Sequence, residues 1–123
     1  MKRFLIDSVS AITAEMAGQV VVTGSHGGTS AARLALTQPP ALAVFNDAGI
    51  GLDGAGIAGL AILNQHGIAA FAVSHQSARI GDAASTETSG QVTAANAIAT
   101  ATGVVAGQTT LAAIEQFVQT TSA

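Results

Sequence analysis

The 123-residue chain contains no cysteine, tryptophan or tyrosine, and only two prolines. Without cysteine it has neither a disulfide framework nor a thiolate nucleophile. Charge is also scarce: Asp, Glu, Lys and Arg make up 9% of the residues, against about a quarter in ordinary soluble domains. The formal charge is −3, and Lys2, Arg3, Arg33 and Arg79 are too few and too scattered to form the positive footprint of a nucleic-acid binder. No apolar run is long enough to span a membrane. Residues 1–6 begin in the basic and apolar order of a secretion signal, but Asp7 ends the run too early. The expectation is a cytoplasmic protein with neither nucleic acid nor membrane as partner.

What the chain has instead is small apolar side chains. Apolar residues reach 49%, and many of them are alanine. The length suits one domain, residues 1–123, large enough to bury a core without staples. So few charges leave the surface adhesive, and a homo-oligomer is expected.

Three consecutive valines, Val20, Val21 and Val22, mark a strand covered on both faces. Apolar runs at 41–45 and 68–73 read as two more strands. Between them the spacing predicts helices at about 29–36, ended by Pro39-Pro40, and at about 55–65, closed by His66-Gly67. An earlier helix over 9–17 would be capped by Asp7 or Ser8 and ended by Gly18. Residues 85–90 read as a connection, and 92–103 as an alanine- and threonine-rich helix. A last helix begins at Thr109 or Thr110, with Leu111, Ile114, Phe117 and Val118 as its apolar stripe. Strands alternating with helices imply a parallel sheet. The expected fold is a small three-layer α/β domain, with a short parallel sheet of three to four strands flanked by helices. The fourth strand would come from residues 3–7 or 104–106.

In a parallel sheet the loops that follow the strands share one edge, and that edge is where α/β folds bind ligands. His26 follows the first of the three main strands. Asn46, Asp47 and Asp53 follow the second, and His75, Ser77, Arg79 and Asp82 the third. His26, Asp47 and His75 are the candidate catalytic residues, since imidazole and carboxylate exchange protons near neutral pH. Ser25, Gly27, Gly28, Thr29, Ser77, Arg79 and Asp82 are the candidate substrate and anion ligands. The glycines would let the backbone turn sharply and approach a ligand, while a following helix start and nearby hydroxyls would hold an anion. Arg79 would clamp a carboxylate or phosphate; the alternative is that Asp82 pairs with Arg79 structurally. We expect His26, Asp47 and Arg79 to line one cavity.

Other chemistries fit less well. No Gly-Lys-Ser/Thr ends the Gly24–Thr29 stretch, so it is not a Walker motif. Gly49-x-Gly51-x-x-Gly54 has the spacing of a dinucleotide fingerprint, yet the next strand ends in Val73-Ser74-His75 without the ribose-binding acid. Ser77 could act as a nucleophile beside His26 or His75, but no Gly-x-Ser-x-Gly elbow surrounds it. His26, Asp47 and His75 could together hold zinc or iron, although no close-spaced ligand motif is present. His66 reads as a helix cap. No metal and no cofactor are expected. The function expected is that of a small-molecule enzyme, a hydrolase or lyase, acting on a carboxylate- or phosphate-bearing substrate. The alternatives are a ligand-binding or regulatory module, or a structural subunit of a larger enzyme.

Overall fold

The computed structural model describes residues 1–122. It is a small three-layer α/β structure whose sheet has five strands in the order β1-β2-β3-β4-β5. These are β1 (Arg3–Ile6), β2 (Val20–His26), β3 (Leu42–Asn46), β4 (Ala69–Val73) and β5 (Val92–Ala95). The first four run parallel, and β5 pairs antiparallel to β4. Helices α1 (Thr29–Ala35), α2 (Ala58–Gln65), α3 (Ala83–Ser89), α4 (Ala97–Ala101) and α5 (Thr110–Ser122) complete it.

The central strands are buried on both faces because their side chains are apolar on both. Val20 and Val22 of β2, Leu42 and Val44 of β3, and Phe71 and Val73 of β4 pack with Val104, Ala113, Ile114 and Phe117. Ala43, Phe45, Ala70 and Ala72 point the other way and meet Val9, Ala31, Ala32, Ala35, Leu60 and Leu63. The period-2 alternation of a strand therefore divides the core into two layers. Alanines at 31, 32 and 35 let α1 lie close to α2, where Gly59 admits the carbonyl of Gly28. Successive parallel connections that each step one strand in the same direction place α1 and α2 on a single face, as crossovers of one hand require.

Three local expectations change, and one open choice between two places is resolved. The stretch 9–17 is not one helix but two 3₁₀ turns, Val9–Ala11 and Ala14–Met16. Ser8 does cap the first, yet Ile12 is extended, with ψ 137°, and breaks the run. The fourth parallel strand is Arg3–Ile6; residues 104–106 form none. Residues 85–90 are not a connection, since α3 spans most of them. The predicted helix over 92–103 divides into β5 and α4, so the sheet exceeds the expected three to four strands by an antiparallel fifth.

The division falls at Asn96. Its side-chain oxygen accepts from the amides of Ala99, capping α4, and of Ala70, on β4. Its amide group donates to the carbonyls of Leu60 and Ile68. One buried side chain thus satisfies four backbone groups in β4, α4, α2 and the turn before β4.

Candidate functional site

The carboxyl edge of the parallel strands carries His26, Asp47 and His75, which leave adjacent strands β2, β3 and β4. Because the strand order never reverses among them, this edge has no topological switch point. The crevice that forms where neighbouring crossovers diverge therefore has no counterpart between these strands. Two cavities, of about 440 and 370 Å³, are lined by other residues. His26, Asp47 and Arg79 line neither of them.

Asp47 is the centre of the arrangement. It is buried, 4% exposed, and every approach to its carboxylate is organised. Oδ1 accepts from the Gly49 amide at 2.8 Å and the His75 amide at 3.0 Å. Oδ2 accepts from the Thr93 hydroxyl at 2.7 Å. The His75 ring sets Nδ1 3.5 Å from Oδ1, with its side chain 46% exposed. That separation is an electrostatic contact rather than a hydrogen bond. It leaves Nε2 as the imidazole nitrogen farther from the carboxylate.

Burial pushes the Asp47 carboxyl up, but the Thr93 hydroxyl, the Gly49 and His75 amides and the facing imidazole together hold it below its ordinary value. A group depressed in the folded state stabilises the fold above its unfolded pKa, about 3.9. That contribution is lost as pH falls through the lower, folded value. Wild-type unfolding free energy should therefore decline below about pH 4 more steeply than that of Asp47→Asn. Chemical denaturation at a series of pH values measures the difference; parallel curves would remove Asp47 as the source.

The loop after Asp47 is held in unusual geometry. Ala48, Ile50 and Asp53 have positive φ, at 51°, 68° and 55°, and for a β-branched residue such as Ile50 this is a true outlier. The Gly51 amide donates to the Gly49 carbonyl across Ile50, which makes the rare strained form of the γ-turn. The loop presents Ile50 and Leu52 to solvent, Leu52 at 85% exposure. Asn46, fully buried, anchors the base by accepting from Ala48 and donating to the Ala78 carbonyl.

The remaining expected residues separate by role. The Ser25 hydroxyl accepts from the Val9 amide. Ser77 donates to the Ser74 carbonyl and accepts from the Gln91 amide. Both hydroxyls tie loops together. Asp82 caps α3 through the Ser85 amide and does not pair with Arg79. Arg79 is exposed and makes no ion pair among the described residues. Gly28, at φ −82°, is the N-cap of α1, and Thr29 begins that helix exposed. Gly27 and Gly28 do not serve a left-handed turn. A Cβ on Gly27 would lie 3.1 Å from the Gly56 carbonyl oxygen, and one on Gly28 3.0 Å from the His26 ring. Their glycines allow the two loops to pack. His26 itself is exposed, and its ring lies over Gly28. His66 is the C-cap of α2, with Nδ1 3.0 Å from the Ile62 carbonyl.

Thr93 is the residue that sequence reasoning missed. It belongs to β5, and the stretch was read as helix. The adjacent β-branched pair Val92-Thr93 after Gly90 was the available signal. Among the described residues no three His, Cys, Asp or Glu side chains gather closely enough to hold a metal ion, so His26 does not complete a ligand set with Asp47 and His75. No described helix is long and apolar enough to cross a membrane. Comparison with protein-family models, with curated proteins and with solved structures finds no match. The fold and this edge describe a small α/β protein with a mostly parallel sheet, carrying a histidine beside a buried, hydrogen-bonded carboxylate.

Proposed function

We propose that the protein is a small-molecule enzyme, a hydrolase or lyase, in which His75 transfers a proton and the ionised Asp47 carboxylate faces and orients the imidazole. The observation that carries this reading is the chain Thr93–Asp47–His75, with an ionised buried carboxylate beside a half-exposed imidazole. A carboxylate facing Nδ1 favours the tautomer with its proton there and leaves Nε2 free to accept one from substrate. The exposed guanidinium of Arg79, on the same β4–α3 connection, suits a carboxylate- or phosphate-bearing substrate. Hydrolysis and elimination both need only a positioned acid or base of this kind.

The test is a panel of phosphate monoesters, carboxylate esters and hydroxy acids, assayed for hydrolysis and for loss of water. Once turnover is found, His75→Ala should lower it by about 10²–10⁴-fold, and Arg79→Ala should chiefly raise KM. Undiminished turnover in His75→Ala would discard the assignment.

A second reading has its own support. The Asp47 oxygens are already engaged by Gly49, His75 and Thr93, an arrangement that equally fixes the loop of a ligand-binding module. Anion-dependent shifts of the His75 ring resonances, with no turnover anywhere in the panel, would favour that module.

A further inference from the structure

The two edges of the sheet are finished differently. At β5 the backbone of Val92 bonds to Gln108 and Gly107, and Gln91 bridges to Thr109, so that edge is partly covered. At the other side β1 pairs only with β2. The Lys2 carbonyl accepts from the Val20 amide; in a parallel strand alternate residues face the neighbour. Phe4 and Ile6 therefore turn their backbone groups to β2, and Arg3 and Leu5 present theirs to the open edge. Such an edge is a template for a further strand.

We propose that the open edge of β1 pairs antiparallel with β1 of a second copy, about a twofold axis through Leu5. An axis normal to the sheet keeps corresponding faces together, so opposed residues must share a face. Only registers centred on a residue satisfy this. Centring on Leu5 sets Leu5 against its own copy and Phe4 against Ile6, and brings Arg3 at each end toward the side chain of Asp7, which lies just past β1 with its carbonyl turned to the Gly24 amide of β2. Centring on Phe4 instead opposes Lys2 with Ile6 and Arg3 with Leu5, which pairs each charge with an apolar side chain.

The Leu5 register matches what each residue lacks. Leu5 is 41% exposed, an apolar side chain on an edge. Arg3 uses Nε toward Glu87 at 2.6 Å, leaving its two terminal nitrogens for another carboxylate. Asp7 accepts from the Ala83 amide through Oδ1, leaving Oδ2 for a cation. Opposite charges placed across an antiparallel pair stabilise it, and like charges oppose it. Beside the strand, a groove of about 370 Å³ is lined by Met1, Leu111, Ile114 and Val118 with Arg3. Met1 and Leu111 are 57% and 43% exposed, so the apolar area that a second copy would cover extends past the strand itself.

The chain has no cysteine, so a single introduced thiol reports on the contact. A hydrogen-bonded antiparallel pair sets Cα atoms about 5.5 Å apart, within disulfide reach. Leu5→Cys should form a disulfide-linked dimer on mild oxidation, while Phe4→Cys should not. Light scattering at micromolar concentration should find the wild type at twice the 12.0 kDa chain mass, and folded Leu5→Lys at the chain mass. A monomeric wild type, a dimer that survives Leu5→Lys, or cross-linking by Phe4→Cys in place of Leu5→Cys would each overturn the proposal. If Leu5→Lys does not fold, the cross-linking pair decides alone.

Discussion

Asn96→Ala is expected to lower the melting temperature by about 10–20 °C. The substitution removes the cap of α4, worth about 1 kcal/mol. It also strips partners from the amide of Ala70 and the carbonyls of Leu60 and Ile68. Each buried polar group left unpaired costs about 1–3 kcal/mol. With partial rescue by water, the sum is about 3–5 kcal/mol, against a total stability of about 5–15 kcal/mol. Asn64→Ala is the matched control. Among the described residues the Asn64 side chain accepts only from the Ile98 amide, and its loss should cost about 1 kcal/mol. Thermal and urea unfolding of the two variants side by side would show the gap; equal losses would mean that Asn96 is not the junction described.

Gly56→Ala is expected to destroy the site while leaving the sheet largely in place. A Cβ there would lie 2.0 Å from the Asp47 carbonyl oxygen and 3.1 Å from that of Ile50. Backbone cannot yield as the tip of a side chain can. The 48–56 loop must move, breaking the bonds from Gly56 to the Ile50 carbonyl and from Ile50 to the Asp47 carbonyl. The strained positive-φ run is then no longer held, and the Gly49 amide leaves Asp47. A loss of about 2–3 kcal/mol is expected, together with large resonance shifts at Gly49 and His75. Gly107→Ala, whose Cβ meets open space at φ 95°, carries a cost of about 1–2 kcal/mol from backbone conformation alone, a cost that Gly56, not among the positive-φ glycines, does not share. Wild-type stability and an unmoved His75 spectrum in Gly56→Ala would refute the close contact.

The parts of the fold that were legible in the sequence are those where side-chain pattern and propensity agree. Val20 to Val22, residues 41–45 and residues 68–73 are apolar on both faces and became central strands. Their order placed His26, Asp47 and His75 on one edge. Where composition and environment diverge, legibility ends. Ala94, Ala95, Ala97 and Ala99 are strong helix formers, and they hide a strand that exists because β4 offers it a partner. Only Asn96, as a cap between them, carries the break. Helix α3 is short and rich in Ser and Thr, which are weak helix formers; its signal is Asp82, whose carboxylate reads equally as a ligand at the edge or as a partner of Arg79. At the site, residue types located Asp47 and His75, but not their mutual contact. Thr93 could not be found before its strand was. The hydroxyls of Ser25 and Ser77 were legible as polar groups near the edge, yet their partners, Val9 and Gln91, are distant in sequence.

The division of the core by sheet face also sets the order in which the protein can be completed during synthesis. The layer over Ala43, Phe45, Ala70 and Ala72 is supplied by Val9, α1 and α2, and all of it precedes β4 in the chain. The opposite layer needs Val104, Ala113, Ile114 and Phe117. As the chain emerges, four strands are available with one side dressed, while Val20, Val22, Leu42, Val44 and Phe71 await the larger part of their cover, Val104 and α5, encoded some thirty to forty residues after β4. For that interval the nascent sheet is an apolar plate, and α5 is the segment whose arrival ends its hazard of sticking to neighbours.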